Sequence, residues 1–484
     1  MEARNIFQNI SPIDHRYSIS ESEVYQSLVP WISEEASIAA CVKAEIALVF
    51  AHLAVRGKMT DALRAELEKC AVDPAEVYAE EEKTHHNIRA LVNVIKRKVP
   101  QELAPLVHLG ATSVDILDTS LSWRMAGATR EAVLPLLKKL ELLLCSFAER
   151  EAETPQVGRT HGQHAVPITL GFAVAEYVSR LGKSILEIEK RSGELKGKLS
   201  GAVGAYNATS MIVKDPLELE RIYLAELGLE PSEHSTQLVE PEYLLRLLLE
   251  FNVAFGIIAN LADDLRNLQR SEIGEVREGF GVDQVGSSTM PQKRNPWNSE
   301  HVKSLWKAFM PRVNTFFMDQ ISEHQRDLTN SASQRFIADY TAGFCLAVSR
   351  MTKVVEGLGA DREKLLANLR GGGIPGGIMA EPAYILLAET GVSDAHEVIR
   401  RITLAAENEK LTFAAALAKE PEVLKRIRGK LEELGLIASG GEVSPDEALS
   451  FFENPQAYSG LAAKKARTLA EKYSKLMKGG DDVH

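Results

Sequence analysis

Cysteine is scarce in this chain: Cys41, Cys70, Cys145 and Cys345 are the only four in 484 residues. They lie far apart with no CxxC pair. That excludes a disulfide framework and a cysteine-rich zinc site, and it fits reduced, mostly buried thiols of a cytoplasmic protein. Long apolar runs are missing as well. None approaches 18 uninterrupted residues, so no membrane span is expected. The opening MEARNIFQNISPIDHRYS lacks an apolar stretch flanked by positive charge, so no secretory signal is expected. Positive charge is in deficit, with 56 Lys and Arg against 67 Asp and Glu for a net charge of −11. A chain of that sign is not expected to hold nucleic acid through a broad basic face. Strand signals are sparse, no βαβ alternation appears, and there are no internal repeats or low-complexity tracts.

What fills the chain is helical periodicity. Hydrophobic content of 45% and charged content of 25% are ordinary for a globular protein, and the length implies about two to four domains. Apolar residues recur every three or four over 33–56, 114–150, 168–199, 241–273, 298–322 and 332–358. Pro135 inside the second stretch predicts a kink. Several stretches exceed the usual helix of about 11–12 residues, so an all-α bundle is expected. The 241–273 helix is apolar around most of its girth between Leu244 and Leu261. A helix apolar all round is buried on every side, which implies a bundle shared between subunits. Segments 154–167, 201–216 and 274–297 interrupt the pattern. The Gly-rich LRGGGIPGGIMAEP near residue 370 reads as a hinge before a smaller C-terminal domain, and 475–484 as a frayed tail.

The most informative segment is 286–296, GSSTMPQKRNP. Gly286, Pro291 and Pro296 break regular structure there. Two hydroxyls, Ser287 and Ser288, sit beside Lys293, Arg294 and Asn295. Such a strip suits a lid closing over a small anionic substrate, although the same composition fits a solvated surface loop. Three more polar clusters stand apart in sequence: Thr84-His85-His86-Asn87, Thr112-Ser113 with Asp115, and Thr160-His161-Gly162-Gln163-His164. Each has a plain reading. Thr112-Ser113 caps a helix, whose N-terminus also suits a carboxylate or phosphate. Asp115 in that first turn is expected from the helix dipole alone. His161 and His164 lack the carboxylate or thiolate company of a metal pair. Asp263-Asp264 read as a solvated or inter-subunit face. GGGIPGG lacks the GxxxxGK[ST] pattern of a phosphate loop.

GSSTMPQKRNP resembles the signature of the fumarase/aspartase superfamily, whose members eliminate fumarate or a related acid. GATSVD, GRTHGQHAVP and SGAVGAYN are similar to the other segments that build that active site. All four fall in the family's order and spacing between about residues 80 and 340. Within the superfamily, KTHHN, KRNP, Arg16-Tyr17, His234–Gln237 and RDLTNSASQR most resemble the adenylosuccinate lyase branch. The carboxymuconate-cycloisomerase branch also carries KRNP, and argininosuccinate lyases usually show QKKNP. A non-catalytic homologue is the reading from a different class. Two departures from the pattern matter: Asn87 stands where Asp is common, and Trp297-Asn298 replaces an aliphatic-plus-Gly or Arg pair.

The resemblance implies a three-domain fumarase/aspartase-like fold: helical domains over 1–111 and 366–484 flanking a long-helix bundle, 112–365, that carries the 284–297 loop. It implies a homotetramer with active sites shared between subunits, adenylosuccinate and SAICAR as substrates, and no cofactor or metal. By the same resemblance Ser287 is the base, with Ser288 its neighbouring rival. Lys293 and Asn295 steady the carbanionic intermediate, His161 is the general acid, and His86 positions phosphate or tunes His161. An imidazole, with an ordinary pKa of about 6.5, suits proton donation near neutrality. Arg16, Arg326 and Arg335 match the substrate's phosphate and carboxylates. Tyr17, His85, Asn87, Thr112, Ser113, Gln237 and Ser331 complete the expected binding set, and His164 is left as structural.

Overall fold

In the computed structural model the described residues are 5–281, 286–438 and 446–479. Gln284 and Val285, which open the expected loop, and residues 480–484 of the expected tail lie outside them. The chain divides into two compact units. One comprises Met1–Lys139, Lys183–Asn260 and His301–Met351; the other comprises Leu140–Gly182, Leu261–Glu300 and Thr352–His484.

In the first unit the helix Glu34–Val55 starts where Ser33 accepts from the Ala36 N–H. Its alanines let neighbours approach closely, and Ala44, Leu48, Val49 and Ala51 are fully buried. It packs on the helices Ser113–Ala128 and Pro216–Ala225. Gly127 is required there, because a Cβ would fall 1.9 Å from the Trp31 ring. The kink expected at Pro135 appears as a π-helical turn, Thr129–Val133, before the helix Leu134–Arg150. Pro135 has no N–H to return to Glu131, and the wider turn absorbs the loss. The helix Glu242–Leu268 buries Leu247, Phe251 and Phe255, with Phe251 stacked 5.3 Å from Phe344. Expected helix 298–322 is broken into Trp297–Phe309 and Arg312–Met318, Pro311 standing at the break.

Two helical stretches reach the length and mean hydropathy of a membrane crossing: 22–55 at 1.9 and 242–268 at 1.7. Their most apolar windows are 78% and 56% buried inside the protein, so core packing accounts for much of that apolar character.

The second unit corrects the reading of 154–167 as a mere interruption. Pro155–Thr160 and Gln163–Thr169 form an antiparallel hairpin. Its two-residue turn is His161-Gly162, with φ of 54° and 75°. That is the type I′ pattern, in which Asn-Gly is usual and His is not. Below the turn, Glu275 is fully buried. It accepts from Arg159 at 2.5 and 3.1 Å, Gln156 at 2.8 Å and Asn368 at 2.8 Å. The helices Ala380–Glu389, Ala395–Glu409, Phe413–Leu417 and Pro421–Glu433 share a core around Leu387, Phe413, Ile427 and Phe452. Fraying from 475 is not seen at 475–477: the helix Ala462–Met477 runs through them and buries Tyr473 and Met477.

One buried group in this unit is conspicuously unpaired. Both Glu141 carboxylate oxygens lack a hydrogen-bond partner among the described residues, and burial alone raises its pKa well above the ordinary value. A raised folded-state pKa contributes stability that is full below the unfolded value of about 4.5 and is lost as pH rises. Replacing Glu141 by Leu is therefore expected to raise unfolding stability by about 1–3 kcal/mol near pH 8 and by less near pH 5, measured by urea unfolding at both. Arg159→Met strands the Glu275 carboxylate and is expected to cost about 3 kcal/mol or more in the same assay.

Candidate active site

In the first unit the site grows from the N-terminus of the 113–128 helix. Thr112 is the cap, and its N–H donates to Asp115 Oδ2 at 2.7 Å. Asp115 does more than answer the helix dipole. It is fully buried and pairs with the equally buried Lys198. Its Oδ1 also accepts from the Ser200 and Gly201 N–H groups at 3.2 and 3.3 Å. The SGAVGAYN segment is thereby tied to GATSVD. Ser200 Oγ meets Ser235 Oγ at 2.6 Å, and a Cβ on Gly204 would fall 1.9 Å from the Ser235 carbonyl. Gln237 Nε2 donates to Thr112 Oγ1 at 3.2 Å, and the Gln237 N–H donates to the Gln325 carbonyl at 3.2 Å. Thr112, Ser113, Gln237 and the Gln325-Arg326 strip are thus brought together.

The other expected residues of this unit are placed as follows. His85 and His86 do not share a helix. His85 closes the helix Pro74–Thr84 at φ 51°, and His86 caps Asn87–Lys98. His86 Nδ1 accepts from the Arg89 N–H at 3.2 Å, which leaves Nε2 to carry the proton. Asn87 turns its Oδ1 to the Ile88 N–H at 2.7 Å. Arg16 and Tyr17 lie in the turn Ile13–Tyr17, and the Tyr17 hydroxyl meets His301 Nε2 at 2.9 Å. Burial lowers the His301 pKa, and the Arg350 and Arg16 charges lower it further. Ser331 and Arg335 are exposed.

In the second unit His161 is exposed at the hairpin tip. His164 lies beside the Gly-rich run, its Nδ1 standing 3.4 Å from where a Gly372 Cβ would be. Burial lowers its pKa, followed by the Arg159 charge. Gly372 and Gly376 take positive φ, 122° and 74°, while a Cβ on Gly373 would meet nothing within 4 Å. Asp264, expected on a solvated or inter-subunit face, is exposed and accepts from the Tyr177 hydroxyl, while Asp263 pairs with Arg266 at 2.6 Å.

The 286–296 segment is a closed turn. Asn295 Nδ2 donates to the Gly286 carbonyl at 3.1 Å, and a Cβ on Gly286 would fall 2.1 Å from the Lys293 carbonyl. Ser287 Oγ accepts from the Met290 N–H at 3.1 Å and the Thr289 N–H at 3.4 Å. Ser288 and Lys293 are exposed. Glu278 anchors the far side by accepting from the Asn298 amide side chain at 3.1 Å and the Ser299 N–H at 2.8 Å. The unusual Asn298 thus seats the loop on its own chain.

Sequence reading missed Lys198, Glu275, Glu278 and His301. Lys198 ends the lysine-rich EKRSGELKGK run and looks like one more solvated cation. Only the apolar neighbour Leu199 and the glycines after it hinted at burial. Among the described residues no three or more His, Cys, Asp or Glu converge to hold a metal ion.

The profile of the lyase family matches residues 12–308, and that of the adenylosuccinate lyase C-terminal region matches 322–437. Adenylosuccinate lyase of Pyrococcus horikoshii is 34% identical over 435 residues, covering 88% of this chain and 93% of its own. That of Methanocaldococcus jannaschii is 30% identical over 473 residues, 94% of each. The solved 3-carboxy-cis,cis-muconate lactonizing enzyme of Pseudomonas putida superposes with a TM-score of 0.77 at 23% identity, covering 93% of this chain and 97% of that one. Fumarate lyase of Mesorhizobium sp. BNC1 gives 0.77 at 21%, covering 93% and 97%. These two share the fold, so the expected all-α, fumarase/aspartase-like architecture is present. With its length shared almost end to end at such identity, the chain belongs to the adenylosuccinate lyase family and is a lyase.

Proposed function

We propose that the chain cleaves adenylosuccinate to AMP and fumarate, and SAICAR to AICAR and fumarate, by anti elimination in purine biosynthesis. The observation that carries this reading is kinship with adenylosuccinate lyases over 88% of the chain at 34% identity. The difficult step is removing a weakly acidic proton from the carbon next to a carboxylate. Ser287, as alkoxide, takes that proton. The electron pair moves onto the carboxylate to give an aci-carboxylate, then returns to form the double bond as the C–N bond breaks. His161 hands its proton to the departing nitrogen. Two N–H donors on Ser287 Oγ favour its anionic form, which supports Ser287 over Ser288 as the base. Lys293 and Asn295 stabilise the dianionic carboxylate. His86, with its proton on Nε2, steadies phosphate or His161.

Arg16, Arg326 and Arg335 pair with phosphate and carboxylates, while Tyr17, His85, Asn87, Thr112, Ser113, Gln237, Ser288 and Ser331 supply further contacts. The substrate's own carboxylate is the electron sink, so no cofactor or metal enters the scheme. The active form is a cytoplasmic homotetramer whose sites draw residues from several chains. Exposure of His161 and Lys293 in the single chain supports this, because both need a water-poor setting to act.

Incubation with adenylosuccinate is expected to yield AMP and fumarate, with 3-carboxymuconate as the control left untouched; the converse outcome would overturn the substrate assignment. Ser287→Ala and His161→Gln should each lower kcat by about 10²-fold or more, and near-normal turnover would remove that residue from its role. Mixing the two inactive variants should restore part of the activity through hybrid assemblies. No recovery would argue for sites built within one chain.

A further inference from the structure

One turn beyond Asp115 on the 113–128 helix stands Asp118, a carboxylate to which the scheme above gives no task. It lines a cavity of about 70 Å³ walled by Leu121, Leu238, Leu248 and Phe316. Its Oδ2 accepts from the Val239 N–H at 3.0 Å. Val239 closes a small loop that includes Gln237: Ser235 and Val239 form an isolated β-bridge, and the Leu238 N–H donates to Thr236 Oγ1 at 3.2 Å. That loop is what presents Gln237 to Thr112 and to the Gln325 carbonyl. Lys198 and Arg326 both act on Asp118 electrostatically.

We propose that Asp118 is a positioning residue: its ionised carboxylate holds the 235–239 loop through Val239 and so sets Gln237 where it meets the substrate's anionic groups. The functional part of this inference rests on the adenylosuccinate lyase reading; the structural part does not. Losing the charge weakens the bond to Val239, because an N–H bonds more strongly to a carboxylate than to a neutral carboxyl. It also removes a negative charge that acts on Arg326.

The setting makes that loss reachable. Burial pushes the Asp118 pKa up to about 6, with the Asp115 charge adding to the rise; the Val239 N–H, Lys198 and Arg326 oppose it. Glu240 and Asp319 also line the cavity, and neither brings a positive charge to it. The sign follows directly. With a folded-state pKa near 6, Asp118 is charged at neutral pH and neutral in mild acid, so substrate binding weakens as pH falls through about 6.

The test joins kinetics to hydrogen exchange. In the native enzyme, KM for adenylosuccinate should rise between about pH 7.5 and pH 5.5. Asp118→Asn should raise KM about tenfold at pH 7.5 and abolish that acid limb, with kcat within about threefold. Asp118→Glu keeps the charge and should restore the limb. Deuterium uptake of the 235–241 segment, corrected for intrinsic rates, should increase in Asp118→Asn at pH 7.5, and in the native enzyme on going from pH 7.5 to 5.5. The native measurement decides the matter even if Asp118→Asn does not fold. Unchanged exchange, or a KM limb that survives in Asp118→Asn, overturns the proposal. A native enzyme inert toward adenylosuccinate overturns the substrate reading, and the exchange data still judge Asp118.

Discussion

A lysine with no access to water must be answered in full, and Lys198 is answered by Asp115. Stripping an ammonium of its hydration costs several kcal/mol, so such a pair persists only where geometry and further hydrogen bonds offset the loss. Asp115 supplies them. Its carboxylate also receives the Thr112 N–H that opens a long helix and two N–H groups of a glycine-rich loop. Neither the loop 200–206 nor the strip 235–239 has a ladder or a helix to hold it. Ser200 and Gly201 donate to Asp115, and Val239 donates to Asp118, two carboxylates set into one helix. Thr112 and Ser113 are therefore placed by the Asp115–Lys198 pair, and the strip that carries Gln237 by Asp118 one turn further on.

The second unit uses the same device. Glu275 lies buried beneath the hairpin and collects Arg159, Gln156 and Asn368, while Glu278 three residues on collects Asn298 and Ser299. The loop bearing Ser287 and Lys293 lies between the segment that carries these two acids and the helix that Glu278 caps. Irregular chain is suited to moving reactive groups, yet catalysis tolerates little misplacement. Glu275 is buried and Glu278 half-buried, and Glu278 ties the start of the 297–309 helix to the segment that precedes the loop.

Much of this was legible in sequence, and the failures have physical reasons. The helix at 34–55 was plain because Ser33 and Gly57 bracket a periodic, alanine-rich run. The KRNP loop was plain because its composition fits no regular element. The hairpin was hidden because its turn is His-Gly where Asn-Gly is the familiar signal, so the positive φ at His161 could not be foreseen. A non-glycine residue held in that region is strained, and here the strain falls on the proposed acid. The break at 310–311 was visible as Pro311 and was overridden by the apolar spacing around it. Lys198 and Glu275 were illegible for another reason: a charged residue reads as surface unless its partner is known, and these partners are 83 and 119 or fewer positions away.

His161 and Lys293 are both exposed in the single chain, and this bears on how much each can do. In bulk water a unit-charge pair at about 4 Å is worth about 1 kcal/mol; at an effective dielectric near 20 it is worth about 4 kcal/mol. The difference, about 3 kcal/mol, corresponds to roughly 10²-fold in rate if it appears only in the transition state. Lys293 gains it only when water is displaced from around the 286–296 turn. The turn is already shaped for this, with Asn295 drawing its base shut and Gly286 folded against Lys293. What remains is a wall on the other side. A hairpin tip held from below by Arg159 and Glu275 carries an exposed histidine, and the proposed assembly of several chains would supply that wall.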